Sequence, residues 1–191
     1  MIERITHEIK HCLECDYHLA ALALALTLPD VCGKAEYPDE DSSKKRYINW
    51  YNEYIGQILR EMSRSEKKGL ADLPYLSGEL VYQLRCSFLH SGDTDIDISR
   101  INEEPNQITE FNLLLCANDS VWDVSTASDL QYGQDGDVIY RRFDVNVTDI
   151  CRVLSGVALR FFERNKGKFN FFSYNIIDRT TAEYSKDEQL E

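Results

Sequence analysis

Proline and glycine are scarce. The 191 residues hold four of the first and nine of the second, which excludes collagen-like and low-complexity chains. Long apolar runs are missing too. The longest, Leu19 to Leu28, spans ten residues, whereas a membrane helix needs roughly twenty. The opening Met1-Ile2-Glu3-Arg4 lacks the basic-then-apolar layout of a secretory leader. The expectations are no membrane partner and a cytoplasmic location. Positive charge is also in deficit: 21 Lys and Arg face 33 Asp and Glu, a net charge of −12. Residues 1–90 carry −3 of it and residues 91–191 carry −9. That field opposes non-specific binding to nucleic acid, so any RNA chemistry must use a local patch in the first half.

The residues that are present suffice for a core. Apolar residues make up 43% and aromatics 11%, which excludes wholesale disorder. The length fits one domain, assigned to 1–177, followed by an acidic tail over 178–191. Six cysteines are spread through a chain large enough to need no staples, so no disulfide framework is expected. Asn118-Asp-Ser120 and Asn146-Val-Thr148 match the glycosylation pattern by chance, given the expected location.

Periodicity predicts a mainly α fold with about four main helices. The first covers 3–28. Ile2, Ile5, Ile9 and Leu13 form a stripe, and Leu19 to Leu26 is apolar all round, which predicts the most buried helix. Pro29 and Gly33 are expected to end it. The second runs over about 44–64, capped by Ser42 or Ser43, with Tyr47, Tyr51, Tyr54, Ile58 and Met62 as its stripe. The third starts near Pro74, buries Leu76, Leu80, Leu84 and Phe88, and stops at Gly92. A small β-hairpin or sheet is expected over about 106–145. Ile108–Cys116 and Val138–Val145 are rich in strand formers, and Gln134-Asp-Gly136 is a turn signal. The fourth helix spans about 148–164, with Ile150, Leu154, Val157 and Phe161 inward, and Phe169–Ile177 comes next as an extended aromatic segment.

Three clusters invite a chemical reading. His7, His11, Cys12, Cys15 and His18 crowd the first helix at spacings that zinc could use. Structural zinc sites draw ligands from two elements, and no second CxxC exists, so a polar helix face with small cysteines is preferred and no metal is assigned. Asp93, Asp95, Asp97 and Glu104 echo a calcium loop. Ile98 stands where that loop needs glycine, and Pro105 blocks the helix that should succeed it, so calcium is rejected. Lys44-Lys45-Arg46, followed by Tyr47, Trp50 and Tyr51, is the one basic-aromatic cluster. A solvated helix start explains it simply; as a site it would hold RNA or another phosphate at a helix N-terminus.

The most informative stretch is Leu84-Arg85-Cys86-Ser87-Phe88-Leu89-His90-Ser91-Gly92. Arg85 supplies a forked, permanently charged donor for a phosphate. His90 can move protons near neutral pH. Together they could cleave RNA without metal or cofactor, the histidine handling the 2′-hydroxyl proton and the arginine offsetting charge on the phosphate. Five residues at about 100° each leave the two directions about 140° apart. Convergence is therefore expected to need a frayed last turn or a second copy of the helix from a partner chain. The alternative is a helix-end histidine meeting the macrodipole beside an arginine in a structural ion pair.

Arg85-x4-His90, late in a helix of a mostly helical domain, resembles the Rx4–6H signature of the HEPN superfamily. Gly78-Glu-Leu-Val-Tyr-Gln-Leu-Arg-Cys-Ser-Phe-Leu-His-Ser-Gly92, Leu26-Thr-Leu-Pro-Asp-Val-Cys-Gly33 and Tyr47-Ile-Asn-Trp-Tyr-Asn-Glu-Tyr54 are similar to HEPN proteins of bacterial genomes and plasmids. The likeness covers about 15–95 and a last helix at 148–164. It implies an α-helical bundle that often forms a homodimer, bringing two Arg–His motifs into one cleft. It also implies a metal-independent endoribonuclease of toxin–antitoxin, abortive-infection or phage-defence systems, with Arg85 and His90 in the catalytic positions and an antitoxin or other protein as partner. Cys86 stands where active members usually carry Asn, Asp or His. Other members are catalytically silent modules that bind protein or nucleotide.

Overall fold

The computed structural model describes residues 1–64, 73–94, 96–98, 108–115 and 126–171. Most of the linker beyond Arg64, Asp95 and Glu104 of the acidic loop, Cys116, the Asn118 sequon, residues 172–177 and the tail at 178–191 lie outside the described residues. Described residues form a mainly helical body with one small three-stranded sheet. Among them, no helix is long and apolar enough to cross a membrane.

The segment expected as one helix holds two, and a third helix begins at its expected end. Helix α1 (Ile2–Glu14), α2 (His18–Ala25) and α3 (Leu28–Glu36) succeed one another through sharp turns. Asp16 adopts a left-handed φ of 59°. The Tyr17 amide bonds back to the Cys12 carbonyl at 2.8 Å and the Asp16 amide to Leu13 at 3.2 Å. That paired pattern satisfies the last carbonyls of α1 and ends it. Only Ile2 and Ile9 of α1 are buried, and α2 buries Ala21, Leu22 and Ala25 but leaves Leu19 50% exposed, so the expected burial on every side is not found; α3 buries more, with Leu28, Pro29, Cys32, Gly33 and Ala35. Pro29 opens α3 rather than closing a helix, because a first-turn proline loses no hydrogen bond. Gly33, one turn later, lets α3 touch α4: a Cβ there would sit 2.6 Å from the Arg46 carbonyl oxygen.

Helix α4 (Ser43–Tyr51) is capped by Ser42, whose hydroxyl accepts from the Lys45 amide at 3.3 Å. It continues through a π-turn, Asn52–Gly56, into α5 (Gln57–Ser63). A π-turn holds one extra residue and rotates the rest of the helix by about 100°. The expected stripe therefore slips. Tyr47 and Tyr51 are buried, but Ile55 and Ser63 then turn inward, while Ile58 and Met62 are 59% and 76% exposed. Asn52, at the turn, accepts the Gly78 amide at 2.8 Å. This bond fixes the start of α6 (Gly78–Ser91) against α4. Helix α6 begins later than Pro74 because Ser77 caps it, its hydroxyl accepting from the Leu80 amide. Leu80 and Leu84 are fully buried. The left-handed Gly92, φ 66°, closes the helix.

Strands β1 (Glu110–Leu114), β2 (Thr126–Tyr132) and β3 (Val138–Asn146) form a sheet in the order β1-β3-β2. β2 and β3 make the hairpin around the expected turn, and β1 joins the other edge of β3 in parallel. β3 buries Phe143 and Val145, then runs straight into α7 (Val147–Arg164). Asn146 caps that helix by accepting from the Thr148 amide at 2.8 Å. Ile150, Leu154 and Phe161 of α7 close the core on Trp50 and α2.

Candidate functional site

Arg85 lies on the half-buried edge of α6, between Tyr82 and His90 along the helix. The helix stays regular through Ser91, so no last turn frays. The long arginine side chain closes the 140° gap by itself: Nη1 lies 3.1 Å from His90 Nε2. The expected need for fraying or a second chain is therefore corrected. A guanidinium only donates, so Nε2 accepts with its lone pair. That assignment leaves the ring proton on Nδ1.

The opposite edge of the same guanidinium is held by α3. Arg85 Nε donates to Asp30 Oδ2 at 3.1 Å, with side chains 23% and 27% exposed. Burial raises the Asp30 carboxyl above its ordinary range, although Arg85 and Arg46 both pull it down. For Arg85, burial works against the charge, and Asp30 together with Cys86 more than restores it. The two shifts point opposite ways for one ion pair. The 3.1 Å contact and two cations facing one acid favour the charged pair at neutral pH.

Aromatic rings and the basic run complete this edge. The Tyr47 and Tyr82 rings meet edge to face at 5.3 Å. Lys44 Nζ lies 5.8 Å over the Tyr82 ring, within cation–π reach. Burial and a hydrogen bond with Cys86 push the Tyr82 hydroxyl up, and Cys86 also reaches Arg85. Of the expected phosphate-binding run, the structure brings Lys44 to Tyr82, one turn from Arg85. Lys45 instead pairs with Glu40 at 3.9 Å. Arg46 donates to the Glu40 carbonyl while its charge is felt at Asp30.

Asp30 is the residue that sequence reasoning missed. A signal existed: it is the one acid between Asp16 and Lys34, inside an otherwise apolar stretch. A half-buried carboxylate in such surroundings needs a cationic partner.

The α1 cluster behaves differently. Cys15 Sγ and His11 Nε2 are 3.9 Å apart. The turn at Asp16 carries His18 into α2, where Nδ1 lies 3.5 Å from Thr148 Oγ1 and Nε2 lies 3.7 Å from Asp16. Among the described residues no three His, Cys, Asp or Glu side chains are arranged to hold a metal ion. A hollow of about 910 Å³ runs between α1 and α7 and includes His7, Lys10 and Arg152. It does not include Arg85 or His90. The α6 edge is the candidate site because there a proton-transfer group and a phosphate-binding fork are in hydrogen-bond contact; size alone supplies no chemistry.

No family model, curated protein or solved structure matches the chain.

Proposed function

We propose that the protein is a HEPN-like, metal-independent endoribonuclease of the cytoplasm, acting in a toxin–antitoxin or phage-defence setting. The reading rests on the 3.1 Å contact between Arg85 and His90, which unites the two groups that phosphodiester transfer needs. In the resting site His90 Nε2 is covered by the Arg85 donor. An incoming phosphate is a stronger acceptor for a guanidinium than a neutral imidazole. It takes the arginine and frees the Nε2 lone pair. His90 then removes the 2′-hydroxyl proton, and the 2′ oxygen attacks phosphorus. The bond to the 5′ oxygen breaks, and that oxygen takes a proton from the imidazolium or from water. The products are a 2′,3′-cyclic phosphate and a 5′-hydroxyl. Arg85 offsets the negative charge that grows on the phosphate. Lys44 supplies a further cation for the RNA backbone.

A homodimer through the α6 edge would place two such pairs in one cleft, and two-fold pairing is the commonest closed assembly. A solution mass of twice the chain supports it; a monomer at high micromolar concentration counts against a shared cleft.

One observation favours a second reading. Arg85 is tied to Asp30, an arrangement that also suits a silent module binding a protein, such as an antitoxin, or a nucleotide. Chelator-treated protein incubated with total RNA separates the two. Cleavage that persists without metal supports the nuclease. Intact RNA under varied conditions, with saturable binding of a nucleotide, supports the module.

A further inference from the structure

We propose that Asp30 is a positioning residue that aims the Arg85 fork at both His90 and the RNA phosphate. The inference rests on the endoribonuclease reading of the α6 edge. Arginine is planar and rigid at its head but carries a flexible stem. Arg85 must span a wide angle to meet His90, so its stem needs a second anchor. Asp30 provides one at Nε, at 3.1 Å, while Nη1 points to His90. With those two edges fixed, the plane of the guanidinium is set, on the side of the helix that also carries Cys86 and Tyr82.

Asp30 is itself well placed to act as a fixed post. It sits in the first turn of α3 just after Pro29. Gly33 locks α3 against the Arg46 backbone. Arg46 lends its charge to Asp30 yet donates to the Glu40 carbonyl, so it offsets the carboxylate without displacing Arg85. The Asp30 contact is made at Nε, and the His90 contact at Nη1, so the two partners hold different nitrogens of the fork.

Asp30→Ala and Asp30→Asn test this. In chelator, under single-turnover conditions, Asp30→Ala is expected to slow cleavage at saturating RNA by roughly 10- to 100-fold, the scale for a displaced catalytic group, with little change in half-saturation. Asp30→Asn keeps an acceptor of the same shape and is expected to recover much of that rate. A rate unchanged in both variants overturns the proposal. So does a faster rate, which would make Asp30 a competitor of the phosphate, and so does a loss confined to half-saturation. A second readout needs no activity. In nitrogen-15 spectra the Arg85 Nε–H is expected to be protected from exchange and the His90 Nε2 unprotonated; Asp30→Ala should speed the first and shift the second. If both signals are the same in the variant, Asp30 does not orient the pair. If the native protein cleaves no RNA, the endoribonuclease reading falls, and these signals alone decide the role of Asp30.

Discussion

Two regions carry the histidines, and they differ in an instructive way. In α1 and α2 the sequence packs three histidines and two cysteines into twelve positions, from His7 to His18. The backbone then turns at Asp16 and sends His18 to Thr148. At α6 the sequence offers one arginine and one histidine pointing about 140° apart. There the backbone stays straight, and one long side chain joins them. Nearness along the chain is thus a poor guide to convergence. The continuity of the helix, with the reach and anchoring of the side chain, decides it.

The sharpest way to break this comparison is to exchange the fates of the two clusters. Arg85→Ala and His90→Ala are each expected to lower RNA cleavage by roughly 10²- to 10⁴-fold, the usual range for losing an acid–base group. His7→Ala, His11→Ala and His18→Ala should leave the rate as it is. Loss of cleavage in the second set, with the first set active, would move the chemistry to α1.

Gly33→Ala probes the frame behind Asp30. Its methyl would meet the Arg46 carbonyl oxygen at 2.6 Å. Overpacking of this kind costs roughly 1–3 kcal/mol, visible as a lower urea midpoint. Because the shift parts α3 from α4, cleavage should fall as well. A variant as stable as the native protein would show that the helices do not approach so closely.

Asp16→Gly probes the turn that scatters the α1 cluster. A left-handed aspartate is mildly strained, whereas glycine is not. A gain of up to about 1 kcal/mol is expected in urea denaturation, with no change in cleavage. A loss of stability would mean that the Asp16 carboxylate contributes more than its backbone costs.

The smallest effect lies in pH dependence. Burial raises Asp30 above its ordinary 3.8 in the folded chain. Between that value and the raised one, the folded state keeps a proton that the unfolded state has released. The contribution of Asp30 to stability is therefore largest below 3.8, and it declines as pH rises through the window. Asp30→Asn should remove that decline, read as urea midpoints measured across the acid range. The charged carboxylate then costs the fold something at neutral pH, as expected of a group kept for its hold on Arg85.

Much of this architecture is legible in the sequence, and the failures have physical causes. The Leu80–Leu84 stripe, the last helix with Ile150, Leu154 and Phe161 inward, and the turn at Gln134-Asp-Gly136 all arise from periodicity and turn chemistry. The long first helix fails because alanine and leucine propensity says nothing about a backbone reversal at Asp16, and because Pro29 reads as well for a start as for a stop. The stripe at Ile58 and Met62 fails because a π-turn shifts register by one residue, and no residue type in Asn52–Gly56 announces it. Strand β2 escapes a sequence reading because the polar run Thr126-Ala-Ser-Asp129 lacks strand-forming alternation; its pairing with β3 places it in the sheet. At the site, Arg85 and His90 are visible as residue types. Their contact depends on side-chain reach, and the hold of Asp30 comes from a helix fifty-five positions away in sequence.

The most direct test of the central claim is end-group mapping of a defined single-stranded RNA after incubation with chelator-treated protein. Cleavage that leaves 2′,3′-cyclic phosphate and 5′-hydroxyl ends, present in the native protein and lost in both Arg85→Ala and His90→Ala, is the predicted result. Intact RNA, or cleavage that survives His90→Ala, would contradict it.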